Sequence, residues 1–133
     1  MAIVAVLCCI DPKIQPGVFE WAEKKFGRGN FTLIPTPGAE LPFVNFFYAR
    51  ERKRILNLLR FIRDEMGLAQ TVLISHSGCV AWARAGKQFA DPIDDARFHG
   101  QKCSIALQKI NQHFRGMPMT HHWFRKDLQQ MMW

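Results

Sequence analysis

Two short stretches hold the residue types that could do chemistry. "CCIDPK", from Cys8 to Lys13, sets two thiols beside a carboxylate, and "SHSGCV", from Ser75 to Val80, sets an imidazole, two hydroxyls and a thiol in one small turn. His76 and Cys79, with two residues between them at the end of a β-branched run, can turn toward a single point as metal ligands. Cys8 and Cys9 fall on opposite faces of a strand, so at most one of them joins a given site. Two thiolates and one imidazole would form a Cys2His set with a fourth position open, the arrangement of a catalytic rather than a structural zinc. Asp11 would lie near that open position, as a fourth ligand or as an acceptor orienting bound water. A competing reading takes "S-H-S-G-C" as a nucleophile elbow with Ser77 as the nucleophile. That reading needs an acid and a histidine on later strands. Only one convincing strand follows Ser77, the one carrying His121 and His122, while Asp91, Asp94 and Asp95 fall in a helix-flanking turn.

The elements that must position these residues can be read along the chain. Ile3 to Ile10 is a continuous apolar run with the character of a buried strand. "QPGVFEWAEKKFG" follows as a helix with Pro16 near its start and Gly27 at its end. "NFTLIP" is a second strand, and "TPGAELPF" a Pro/Gly loop. Ile55, Leu58, Leu59, Ile62 and Met66 recur at helical spacing within a helix from about Tyr48 to Met66, and Arg50, Arg52, Lys53, Arg60 and Arg63 form its solvated face. "QTVLIS" is a third strand. "VAWARAGKQFA" and the segment from about Asp94 to Phe114 are helices, "MPMTHHWF" is a last strand and "RKDLQQMMW" a terminal helix. Strands alternating with helices give one α/β domain over residues 1–133, with a mostly parallel sheet of about four to five strands flanked by helices. If the first and third strands are neighbours, both chemical turns lie at the carboxyl edge of the sheet, where open α/β sheets build their sites.

Composition bounds the function. The chain has 133 residues, 48% of them apolar, and a formal charge of +7 from 18 basic and 11 acidic side chains. Such a charge can attract polyanions, but no nucleic-acid motif accompanies it, so basic helix faces are the expected reading and no nucleic-acid partner is expected. "MAIVAVLCCID" has neither the basic start of a signal peptide nor the roughly 20 apolar residues of a membrane span. A cytoplasmic protein without membrane attachment is expected. In that compartment four cysteines point to metal, catalysis or burial rather than disulfides.

Taken together, "C-I-D-P-K" and the later "H-S-G-C" resemble the C-x-D-x-R … H-x-x-C signature of the β-class carbonic anhydrases. "VLISHSGCV" is similar to that family's strand and zinc turn. "FTLIPTPGAE" occupies the place of its R-N-A-G-N-type loop, with Gly38 at the glycine, and "MTHHWFRKD" resembles its late strand more faintly. The resemblance covers most of a compact chain. It implies that Cys9, His76 and Cys79 are zinc ligands and that Asp11 binds zinc in one state or orients the zinc-bound hydroxide in another. The implied reaction is reversible hydration of carbon dioxide to bicarbonate, since zinc lowers the pKa of its bound water to about 7. A homodimer, or a multiple of dimers, is implied as well.

Two departures from the family pattern bear on activity. Lys13 stands where the family has an arginine, and a point charge cannot reproduce a two-pronged grip on Asp11. "P-T-P-G-A" replaces the basic and polar residues of the loop, and Pro37 lacks a backbone donor. Carbonyl sulfide, carbon disulfide or no substrate at all are the alternatives for the same zinc site. Cys8 and Cys103 are expected to be buried small hydrophobes. Trp21, Trp82 and Trp123 are expected in the core or an interface, and His121 and His122 in strand packing or proton transfer.

Overall fold

The computed structural model describes residues 2–133. Among these residues the strands are β1 (Ile3–Cys8), β2 (Phe31–Pro35), β3 (Leu68–His76), β4 (Met119–Arg125) and β5 (Gln130–Met131). They form one sheet in the order β2-β1-β3-β4-β5. The first four are parallel, and β5 runs antiparallel to β4. The helices are α1 (Gln15–Phe26), α2 (Leu41–Val44), α3 (Ala49–Glu65), α4 (Val80–Arg84) and α5 (Pro92–Asn111), with a 3-10 turn at Phe46–Tyr48. The expected mostly parallel α/β sheet with flanking helices is therefore the fold observed.

Period-two alternation explains why both faces of the sheet are apolar. Along β1, Ile3, Ala5 and Leu7 join Leu73 of β3 under α2, α3 and α5, packed on Phe43, Ile55, Leu59 and Ile110. Val4, Val6 and Cys8 face the other way, with Val72, Ile74 and Phe124, onto Val18 and Ala22 of α1 and Trp82 of α4. On α3, Ile55, Leu59 and Ile62 lie at helical spacing on the buried face, as the apolar stripe predicts. Among the described residues no helix is long and apolar enough to cross a membrane.

Several boundaries differ from the sequence reading. The segment "RKDLQQMMW" does not form a terminal helix. Arg125 pairs with Asp127 across a turn, Gln129 takes a positive φ of 52°, and the chain returns along β4 as β5. Trp123 N–H donates to Trp133 O at 3.2 Å and Met132 N–H to Trp123 O at 2.8 Å. The unpaired edge of β4 offers backbone partners that outweigh the helical propensity of Gln and Met. The helix expected from Val80 to Ala90 stops at Arg84, where Gly86 adopts a φ of 91°. The strand expected to reach Ile10 ends at Cys8. Alternation therefore stops there, and Cys9 stays on the same side of the sheet as Cys8 rather than opposite it.

Candidate metal centre

β1 and β3 are adjacent, with Cys8 in register with Ile74. The chain leaves β1 at Cys9 and leaves β3 at His76, so both turns open at the carboxyl edge of the sheet. Gly78 takes a φ of 61°, a conformation that glycine adopts without a Cβ penalty. This bends the turn so that Cys79, the residue preceding α4, comes back toward His76. The ligand atoms of Cys9, His76 and Cys79 all lie within 4.8 Å of one another, and the three residues are buried. The sequence expectation of a Cys2His group is met at the level of geometry: these residues can hold a metal ion.

Two details show how well the donors fit a metal. The Cys9 and Cys79 sulfurs are 3.9 Å apart and both thiols are free. Two sulfurs each bound at about 2.3 Å in a tetrahedral zinc site stand about 3.8 Å apart. His76 donates from Nδ1 to the carbonyl of Ser77 at 2.7 Å. That bond fixes the tautomer and leaves Nε2 with its lone pair free. Nε2 is buried and has no hydrogen-bond partner. Such an orphaned acceptor is costly unless something else occupies it.

The electrostatics favour thiolate. A hydrogen bond from Cys79 outweighs burial and, with help from His76, holds the Cys9 thiol down at about 4. The resulting thiolate, together with burial, pushes Cys79 up, so the two sulfurs share one proton. By contrast, burial lifts Cys8 to about 12 and also raises Cys103, which leaves both as inert core thiols, as expected.

Asp11 lies just beyond the thiols. Its Oδ1 accepts the backbone N–H of Lys13 at 2.9 Å, and its Oδ2 accepts the Lys126 ammonium at 3.1 Å. Partial burial opposes ionisation, but these two donors and the Lys126 charge hold the carboxyl below its usual range. Lys13 thus serves Asp11 through its backbone, and the cation at the carboxylate is Lys126. The same ammonium donates to Gly78 O at 2.8 Å, tying Asp11 to the ligand turn. A cleft of about 700 Å³ opens over Cys9 and Asp11, walled by Ile10, Pro37, Val80 and Ala81. Lys13 and Arg84 also line it.

Other candidates are engaged elsewhere. Ser77 Oγ accepts the backbone N–H of Lys126 at 2.8 Å, and among the described residues no histidine nitrogen hydrogen-bonds it. His122 donates to Trp133 O at 2.9 Å, and the His121 ring meets the Trp133 ring edge-on. Trp82 and Trp123 are buried, as expected.

Sequence reasoning missed Lys126, because nothing local marks a lysine that closes on Asp11 across 115 positions. It also missed a buried polar chain formed by Glu40, His99 and Asp95. His99 Nδ1 bonds Glu40 Oε1, and its Nε2 bonds Asp95 Oδ1 at 3.2 Å. Burial disfavours a charged ring there, but its hydrogen bonds to Asp95 and Glu40 outweigh it and lift His99 to about 9. The spacing of Asp95 and His99, four apart on one helix, was the available signal.

Compared with known protein families and with curated proteins, the chain matches none.

Proposed function

We propose that this chain is a zinc enzyme of the carbonic anhydrase kind, hydrating carbon dioxide to bicarbonate and a proton. The observation that carries the reading is the buried Cys9–His76–Cys79 cluster, with its free Nε2 and its 3.9 Å sulfur separation, set beside a clamped carboxylate. Zinc bound there supplies a Lewis acid that brings the pKa of a coordinated water to about 7.

The chain's own residues then have defined tasks. Cys9, His76 and Cys79 would hold the ion, with Cys9 on the wall of the cleft. Asp11, kept ionised by Lys126 and by the Lys13 N–H, would accept a hydrogen bond from the attacking water and orient it. Ile10, Pro37, Val80 and Ala81 give apolar carbon dioxide a wall to rest on. Lys13 and Arg84, which form no ion pair among the described residues, attract the bicarbonate anion as it leaves. The balance is one carbon dioxide and one water to one bicarbonate and one proton, the proton passing to solvent. A homodimer belongs to the same reading, since Phe46 and Phe47 are 83% and 89% exposed. We place the protein in the cytoplasm, where the thiols stay reduced.

The cleft volume favours one second reading. About 700 Å³ lies within the range of pockets that hold larger organic ligands, which supports a related zinc hydrolase acting on another C=O or C=S bond. The test is stopped-flow carbon dioxide hydration with a pH indicator, using zinc-loaded and chelator-stripped protein. Zinc-dependent acceleration supports the hydratase. Full zinc occupancy without acceleration refutes it and leaves the second reading.

A further inference from the structure

The ligand turn is held from behind by the polar chain. Asp95 Oδ2 accepts the N–H of Gly78 at 3.2 Å, one residue before the ligand Cys79. Its other oxygen binds His99 Nε2, and His99 Nδ1 binds Glu40. Asp95 and His99 are 7% and 2% exposed, and Glu40 is fully buried. Burying two carboxylates at such depth is unfavourable without compensation; the His99 ring between them meets one oxygen of each, while Glu40 Oε2 has no partner among the described residues. α5 orients the pair. Asp91 caps it, its side chain accepting Ile93 N–H at 2.8 Å, and the helical spacing then sets Asp95 and His99 on one face. The loop that carries Glu40 is tied to the same region, because Trp82 Nε1–H donates to Gly38 O at 3.1 Å.

We propose that Asp95 is a positioning residue for the metal centre, holding the His76–Cys79 turn in its ligating shape before the ion arrives, with His99 and Glu40 fixing Asp95. This rests on the metal reading above. Among the described residues no other side chain bonds the Gly78 N–H, and Gly78 sits at the positive-φ corner on which the direction of Cys79 depends. Lys126 and Phe124 hold the turn at Ser77 and at the Gly78 carbonyl, and Asp95 holds the Gly78 N–H, the group nearest Cys79. Groups that orient ligands in this way commonly change metal affinity by about 10- to 100-fold.

The test compares zinc affinity, by chelator competition, in wild type, Asp95→Ala and Asp95→Asn, with the cobalt(II) thiolate charge-transfer band as a second readout. Asp95→Ala should weaken zinc by about 10-fold or more and weaken the cobalt band. In Asp95→Asn the amide oxygen still accepts from Gly78, while its NH2 donates to a neutral His99, so affinity should stay within about threefold. Urea midpoints taken in parallel separate this from general destabilisation, which would shift stability and leave metal affinity unchanged. Amide exchange of Gly78 in metal-free wild type needs no variant. Protection there supports preformation, and rapid exchange overturns it. Wild-type affinity in Asp95→Ala overturns the inference alone, whereas a wild type that takes up no zinc overturns the metal reading with it.

Discussion

Raising the pH should destabilise the fold through His99, and the size of the effect can be worked out. The ring's pKa rises from 6.5 to about 9 in the folded chain. The shift is about 2.5 units at roughly 1.4 kcal/mol each, so up to about 3 kcal/mol of stability depends on this proton. The sign follows from proton binding. Between the two values the native ring holds a proton that the unfolded chain has released, so stability falls as pH rises. The contribution is complete below about pH 6.5 and is lost as pH passes through about 9. The buried thiols of Cys8 and Cys103 add a further loss only above their unfolded values near 9, so measurements belong between pH 6 and 9. Urea unfolding of wild type and His99→Gln, in the same metal state, cancels the Cys9–Cys79 pair. Wild type should lose about 2–3 kcal/mol more than the variant across that window. A ring titration by NMR reads the same proton directly. Parallel pH slopes in the two proteins, or a ring pKa near 6.5, would refute the reasoning.

The clamp on Asp11 makes a contrasting pair of variants. Lys126→Met should cost about 1–2 kcal/mol of stability and about tenfold in zinc-dependent turnover, whereas Lys13→Arg should change turnover little, because Lys13 reaches Asp11 through its backbone. Stopped-flow and urea titration check both. At pH 7 the thiol pair should release about one proton per zinc bound, since Cys9 is already ionised and Cys79 is not. Calorimetry in two buffers of different ionisation enthalpy counts it, and two protons from the thiols would contradict the assignment. Ending the chain after Gln129 should cost about 2–3 kcal/mol, since it removes the two bonds of Trp123 to Met132 and Trp133 and the bond of His122 to Trp133 O, as read by the urea midpoint.

Much of the framework was legible because it is written in short-range pattern. The unbroken apolar run of Ile3–Cys8 can only be a strand covered on both faces. "VLIS" ending in a small polar turn sets His76 and Cys79 at the edge of the sheet, and the alternation of strands with helices gives a mostly parallel sheet, in which the pairing of β1 with β3 was a condition that the structure meets. Pattern alone left Cys8 and Cys9 as alternatives beside His76 and Cys79; the resemblance of the paired motifs pointed to Cys9, and the structure gathers Cys9, His76 and Cys79. What was not legible depends on closure between distant segments. β5 forms because the edge of β4 is there to receive it, while "RKDLQQMMW" by itself favours a helix. Lys126, the residue after β4, meets Asp11 only because the sheet brings the ends of β1 and β4 to the same edge. Glu40 looks like a loop residue until α5 brings His99 against it, although the four-residue spacing of Asp95 and His99 hints at a paired face.

The most direct test of the central claim is zinc-edge X-ray absorption on the zinc-loaded protein. The account predicts about one zinc per chain, with two sulfurs at about 2.3 Å and a nitrogen at about 2.0 Å, and loss of one sulfur in Cys79→Ser. A shell of oxygen and nitrogen alone, or a chain that takes up no zinc, would contradict it.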